Sequence, residues 1–178
     1  MDVKCCHRYL SNELLSAYTR PGLYGGSLEN RSRFLRNAYA AARSAVSPRM
    51  IVTSRMNAYD GFPYPYGFGV NEDEGTKVDL TEAKAVVRML RFQGLPLLNI
   101  TIGNPYVNPH VNRPYDRGNY VPEEHPLVGE SRMMRCVSEL QKDQPDLPII
   151  GSAFSYLRQY SPALAAGMVG GGHAAMAG

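Results

Sequence analysis

Apolar residues recur at three- and four-residue spacing through Phe34, Leu35, Ala38, Tyr39, Ala42 and Ala45, which predicts an amphipathic helix. Ser27 is its candidate N-cap, and Ser47-Pro48 stops it, because proline cannot continue a helix. The stretch before it, residues 10–26, reads as a loop ending in Gly25-Gly26. Residues 50–54 (MIVTS) are a short apolar run with β-branched members, the pattern of a buried strand. A long Gly/Pro/Tyr segment, 57–78, follows; loops of that length inside a domain are usually functional or disordered. Asp79 with Glu82 reads as a capping pair, and Ala83, Val86, Val87 and Leu90 form one helical face closed by Gly94. Residues 97–102 (LLNITI) predict the next strand, and a second long loop, 103–126, follows it. A helix from about Gly129 carries Met133, Met134, Val137 and Leu140, and residues 148–151 (PIIG) predict a third strand. Ser161-Pro162 is an N-cap and first-turn pair for a short helix toward Met168, ended by Gly170 to Gly172.

Short buried strands thus alternate with amphipathic helices, the βα pattern of a parallel α/β sheet or barrel. The long loops follow the strands, and the returns from helix to strand are short. In a barrel that places the elaborated loops at the C-terminal face, where active sites sit. The chain of 178 residues suits one domain, 44% of it hydrophobic and 20% charged, ordinary values for a globular protein. A complete (β/α)8 barrel takes roughly 250 residues, so a barrel reading implies a partial one. A net charge of +3 with scattered Lys and Arg gives no phosphate-tracking stripe, and we expect no nucleic-acid partner. No apolar run is long enough to span a bilayer, and the first ten residues lack the apolar centre of a signal peptide, so the expected location is the cytoplasm and no membrane partner is expected. The three cysteines, two of them adjacent, make no disulfide framework. Cys5, Cys6 and His7 alternate between faces of a strand and match no common zinc spacing, so no metal site is expected. Gly170 to Gly172 lack the strand–G-x-G-x-x-G–helix context of a dinucleotide fingerprint.

The segment Tyr24-Gly25-Gly26-Ser27-Leu28-Glu29-Asn30-Arg31-Ser32-Arg33-Phe34 resembles a signature of the Old Yellow Enzyme-like NADH:flavin oxidoreductases, relatives of 2,4-dienoyl-CoA reductase and trimethylamine dehydrogenase. Just upstream, Val3-Lys4-Cys5-Cys6-His7-Arg8-Tyr9-Leu10 looks like the end of that family's fourth barrel strand. Residues 50–55 look like the fifth strand, 97–101 the sixth, 148–152 the seventh and 173–178 the start of the eighth. The resemblance implies a single incomplete domain over 1–178: a partial (β/α)8 TIM barrel of about strands four to eight, lacking the first three. It implies FMN at the barrel mouth, NAD(P)H as reductant and a small electron-poor alkene or related molecule as acceptor. The Cys-rich segment that holds an iron–sulfur cluster in longer relatives has no counterpart in this chain.

Carried over residue by residue, Tyr9 matches the proton donor, an acid on the alkene face opposite the flavin. His7 and Lys4 match the pair that holds the substrate carbonyl, where donors stabilise developing enolate-like charge. Lys4 stands where the family usually has His; it is a charged donor with no acceptor, and it equally reads as a solvated residue near the chain end. Arg55, directly after the predicted fifth strand, matches the arginine at the flavin pyrimidine edge, where a permanent cation meets negative charge near N1. Gly151, Ser152 and Gly178, in the last two strand segments, are the expected cofactor contacts near the phosphate, where glycine lets backbone N–H groups approach an anion. In the 103–126 loop, Asn104, Tyr106, His110, Asn112 and Arg113 would overhang the site or simply order a surface loop. Two other functions stay open: a non-catalytic half-barrel that needs a partner or the remaining strands, and a small α/β binding module unrelated to flavin. A half-barrel leaves apolar strand edges unpaired, so self-association through those edges is expected.

Overall fold

The computed structural model describes residues 1–152 and the strand Ala175–Met176. It is a mixed α/β structure around one parallel sheet. The elements in chain order are β1 (Asp2–Cys5), α1 (Leu10–Leu15), α2 (Leu28–Arg31), α3 (Arg33–Ala45), β2 (Thr53–Tyr59), α4 (Thr81–Phe92), β3 (Leu98–Ile102), α5 (Pro109–Asn112), α6 (Pro126–Asp143), β4 (Ile149–Gly151) and β5 (Ala175–Met176). The strands are parallel and lie in the order β1-β2-β3-β4-β5, so each neighbours the next in sequence. The predicted helix between Ser161-Pro162 and Met168, and the glycines that follow, lie outside the described residues.

Side chains alternate between the two faces of a strand, and the sheet uses this to separate two chemistries. One face carries Cys5, Met56, Leu98, Ile100 and Ile149, all fully buried. They share a core with Leu35 and Tyr39 of α3, Val86, Val87 and Leu90 of α4, and Val137 and Leu140 of α6. The other face is polar: Lys4, Arg55 and Asn99 stand side by side in register, with Asn57 and Thr101 paired further along. The apolar periodicities of α3, α4 and α6 are therefore the faces that cover the sheet.

Several boundaries differ from the sequence reading. The strand expected at 50–54 is β2, and it runs from Thr53 to Tyr59. Met50 and Ile51 are exposed, because β2 begins where β1 can pair with it, Asp2 beside Thr53. Arg55 consequently lies inside the strand and not after it. The 10–26 stretch is not all loop: α1 occupies Leu10–Leu15, with Leu14 and Leu15 buried. The helix after Ser27 is broken at Ser32 into α2 and α3; Ser27 Oγ accepts from Asn30 N at 3.3 Å, the expected cap. Asp79 Oδ1 accepts from Thr81 N at 2.9 Å, but Glu82 does not complete a capping box. It turns instead to Arg31 and Tyr18. Finally, α6 starts at Pro126, ahead of Gly129. Proline suits a first turn, and His125 Nδ1 accepts from Leu127 N at 3.2 Å.

Candidate functional site

The C-terminal ends of β1, β2 and β3 are tied together by one buried carboxylate. Asp60, in the loop after β2, is fully buried. Its Oδ1 accepts from Asn57 Nδ2 at 2.9 Å and from Asn12 Nδ2 at 3.1 Å, and its Oδ2 accepts from Phe68 N at 3.0 Å. Burial pushes this carboxyl up from its ordinary value, while those donors pull it back. Asn57 also donates to Gly103 O at 2.7 Å and accepts from Thr101 Oγ1 at 2.5 Å. Asn12 Oδ1 in turn accepts from Arg8 N at 2.9 Å. The network thus fixes the turn after β1, the loop after β2 and the end of β3 against one another.

On this platform sits the turn that carries His7 and Tyr9. Strand β1 ends at Cys5, so both residues lie beyond the strand, and Tyr9 is the N-cap residue of α1. His7 and Arg8 both have φ of 60°, a left-handed conformation that non-glycine residues rarely adopt. Arg8 is held there by its bond to Asn12, by Nη1 donating to Tyr66 O at 3.0 Å and by an ion pair with Glu13. Lys4 Nζ lies 3.6 Å from the centroid of the Tyr9 ring, a cation–π contact that orients the phenol. Tyr9 itself is half exposed. A hydrogen bond shared with Tyr9 pushes the Tyr106 phenol up from its ordinary value. The 103–126 loop reaches the turn after β1 through Asn112, whose Nδ2 lies 3.3 Å from His7 Nε2.

His7 is half-buried. Burial, then the cations Lys4, Arg55 and Arg113, lower its pKa from the ordinary 6.5, so it is neutral at pH 7. Arg55 is the in-register neighbour of Lys4 on one side and of Asn99 on the other. Among the described residues, Arg55 Nε and Asn99 Oδ1 are buried with no hydrogen-bond partner. A buried donor and a buried acceptor left unsatisfied on adjacent positions of one sheet face are costly, and each needs a partner from outside the network.

Of the residues singled out in the sequence, the fold brings Lys4, His7, Tyr9 and Arg55 to one region. Gly151 ends β4, one position past Ile150, which pairs with Asn99, and Ser152 follows it. Gly178 lies outside the described residues. The thiols of Cys5, Cys6 and Cys136 are free and buried, and burial raises each of them, Cys6 to about 11 and Cys136 to about 12. A cleft of about 780 Å³ lies elsewhere, between the 77–80 segment and α6, lined in part by Val78, Leu80, Lys84, Leu127 and Arg135. The sequence reading missed Asn12, Asn57, Asp60 and Asn99. The signal for Asn57 and Asn99 was available: in RMNAY and LNITI, polar residues alternate with apolar ones, marking a strand with one wet face. No known family model matches the chain, and no curated protein matches its sequence.

Proposed function

We propose that this chain forms five consecutive strands, about the fourth to the eighth, of a (β/α)8 barrel belonging to an FMN-dependent NAD(P)H:acceptor oxidoreductase. The sequential parallel order supports the barrel part of this reading, since strands that each neighbour the next wind a sheet in one sense. The polar sheet face would be the barrel interior, and the region around His7 and Tyr9 its catalytic mouth. The resemblance of residues 24–34 points the same way.

The observation that carries the reading is the unsatisfied pair on that face. Arg55 offers a donor and Asn99 an acceptor. The flavin pyrimidine ring presents carbonyl and ring-nitrogen acceptors beside an N–H donor, so the two residues fit its edge. Bound FMN would supply the two-electron chemistry that carries reducing equivalents from NAD(P)H to an electron-poor alkene or related acceptor. The chain's own residues do the rest. The Arg55 guanidinium is a permanent cation suited to an anionic ring edge. His7, as an uncharged imidazole, donates a hydrogen bond to the acceptor's carbonyl oxygen as charge develops there. Lys4 adds positive potential and orients Tyr9. Tyr9, half exposed and linked to Tyr106, gives the proton. Gly151 and Ser152 would approach the phosphate.

The test mixes the purified chain with excess FMN, desalts it and records the visible spectrum. A retained and shifted flavin band is the expected result, with retention falling at least about tenfold in Arg55→Met, the loss of one charged hydrogen bond. A chain that is folded by circular dichroism yet releases all its FMN would overturn the reading.

A further inference from the structure

The polar contact between His7 and the 103–126 loop has a defined direction. Asn112, the last residue of α5, places its Nδ2 3.0 Å from the backbone carbonyl oxygen of Ile102 and 3.3 Å from His7 Nε2. A backbone carbonyl can only accept. The Asn112 atom facing it must therefore be the NH₂ group, which settles the amide orientation without appeal to electron counting. That NH₂ has a second hydrogen to offer, and His7 Nε2 lies within its reach. An NH₂ group can only donate, so His7 Nε2 must accept and cannot carry a proton.

We propose that Asn112 is a positioning residue that holds His7 as its Nδ1–H tautomer and so aims a single N–H donor from the strand-end turn. An imidazole free in water favours the opposite tautomer, so the selection is a property of this contact. The surroundings act in the same sense. Lys4, Arg55 and Arg113 are the charged groups that act on the ring, all cations, and none supplies an acceptor to Nε2. Among the described residues, no hydrogen bond occupies His7 Nδ1, which leaves that N–H for a ligand oxygen. The geometry depends on close packing: Gly103 has φ of 63°, and a Cβ there would lie 2.8 Å from Asn112 N. Glycine at 103 thus lets α5 fold back until Asn112 reaches both Ile102 and His7.

The catalytic meaning of this contact rests on the oxidoreductase reading; the tautomer does not. The measurement is long-range ¹H–¹⁵N correlation spectroscopy of the full chain without FMN, with His7 assigned by the loss of its signals in His7→Gln. The expected spectrum shows an unprotonated Nε2 and a protonated Nδ1 at neutral pH. Asn112→Asp, which replaces the donor with an acceptor, inverts the pattern and raises the His7 titration midpoint; Asn112→Ala lets the ring return to the Nε2–H form. A protonated Nε2 in the unaltered chain overturns the proposal, and needs no variant to fold. So does an Asn112→Asp spectrum identical to that of the parent. Failure to retain FMN with the Nδ1–H form present would sink the functional reading alone.

Discussion

Glu130 is the residue whose burial is hardest to reconcile with its charge. It is 3% exposed, and among the described residues neither carboxylate oxygen has a hydrogen-bond partner. Burial pushes its pKa up to about 7 from 4.5. The folded state then binds a proton that the unfolded state has released, so stability falls as pH rises from about 4.5 through about 7. Glu130→Gln removes that penalty. It should be close to neutral at pH 5 and stabilising by about 1–3 kcal/mol at pH 8, as read from urea midpoints at the two pH values. An equal effect at both would refute the assignment. Asp60 differs although it is buried more deeply, because three donors meet it. Neither environment could be read from the sequence. Asp60 follows a strand end and looks like an ordinary turn residue, and its partner Asn12 is 48 positions away. Lys4, His7, Tyr9 and Arg55 were singled out because residues 3–10 and 50–55 resemble strand ends of a known family, and the fold brings the four to one region. The network of Asn12, Asn57 and Asp60 beneath them was not, because it joins Asn12 to residues 45 and 48 positions away.

At the level of elements, the motif of residues 24–34 acts as a joint. Arg31 in α2 is 2% exposed. It donates through Nε to Gly26 O at 2.8 Å and through Nη1 to Leu15 O, and it forms a forked ion pair with Glu82 of α4. Its guanidinium also stacks 3.9 Å from the Tyr18 ring centroid, and the Tyr18 hydroxyl donates to Glu82 at 2.9 Å. One side chain thereby fastens α1, α2 and α4 and terminates the carbonyls of a loop. Arg31→Ala should cost about 3–5 kcal/mol, because it leaves Glu82 without its charge partner and two carbonyls without their donor. Arg31→Lys should recover little, since an ammonium cannot make the fork. Denaturant unfolding of the three proteins checks both statements. The helical faces of α3, α4 and α6 were readable because three-four periodicity over many residues is a strong signal. Helix α1 was not, since six residues and a cap without a side-chain bond leave almost no periodic trace. The start of β2 was misplaced because apolarity at Met50 and Ile51 says nothing of where its neighbour strand begins. The later onset is set by pairing with β1.

For the whole molecule, the separation of an apolar, helix-covered face from a polar one decides how the sheet meets its surroundings. Among the described residues β1 pairs with β2 alone, so one margin of the sheet keeps free backbone groups. Unpaired edges invite another chain. We expect the purified protein to sediment as a dimer or larger species at micromolar concentration; a sharp monomer boundary across a tenfold dilution series would refute this. A fold of this size has about 5–15 kcal/mol of net stability, and the consecutive left-handed residues His7 and Arg8 draw on it, at about 1–3 kcal/mol each. That expense is met locally by the Arg8 side chain, which reaches Tyr66 O, Glu13 and the Phe62 ring. Glycine at position 8 would adopt the same φ at little cost but would give up all three contacts, so the turn balances backbone ease against side-chain anchorage.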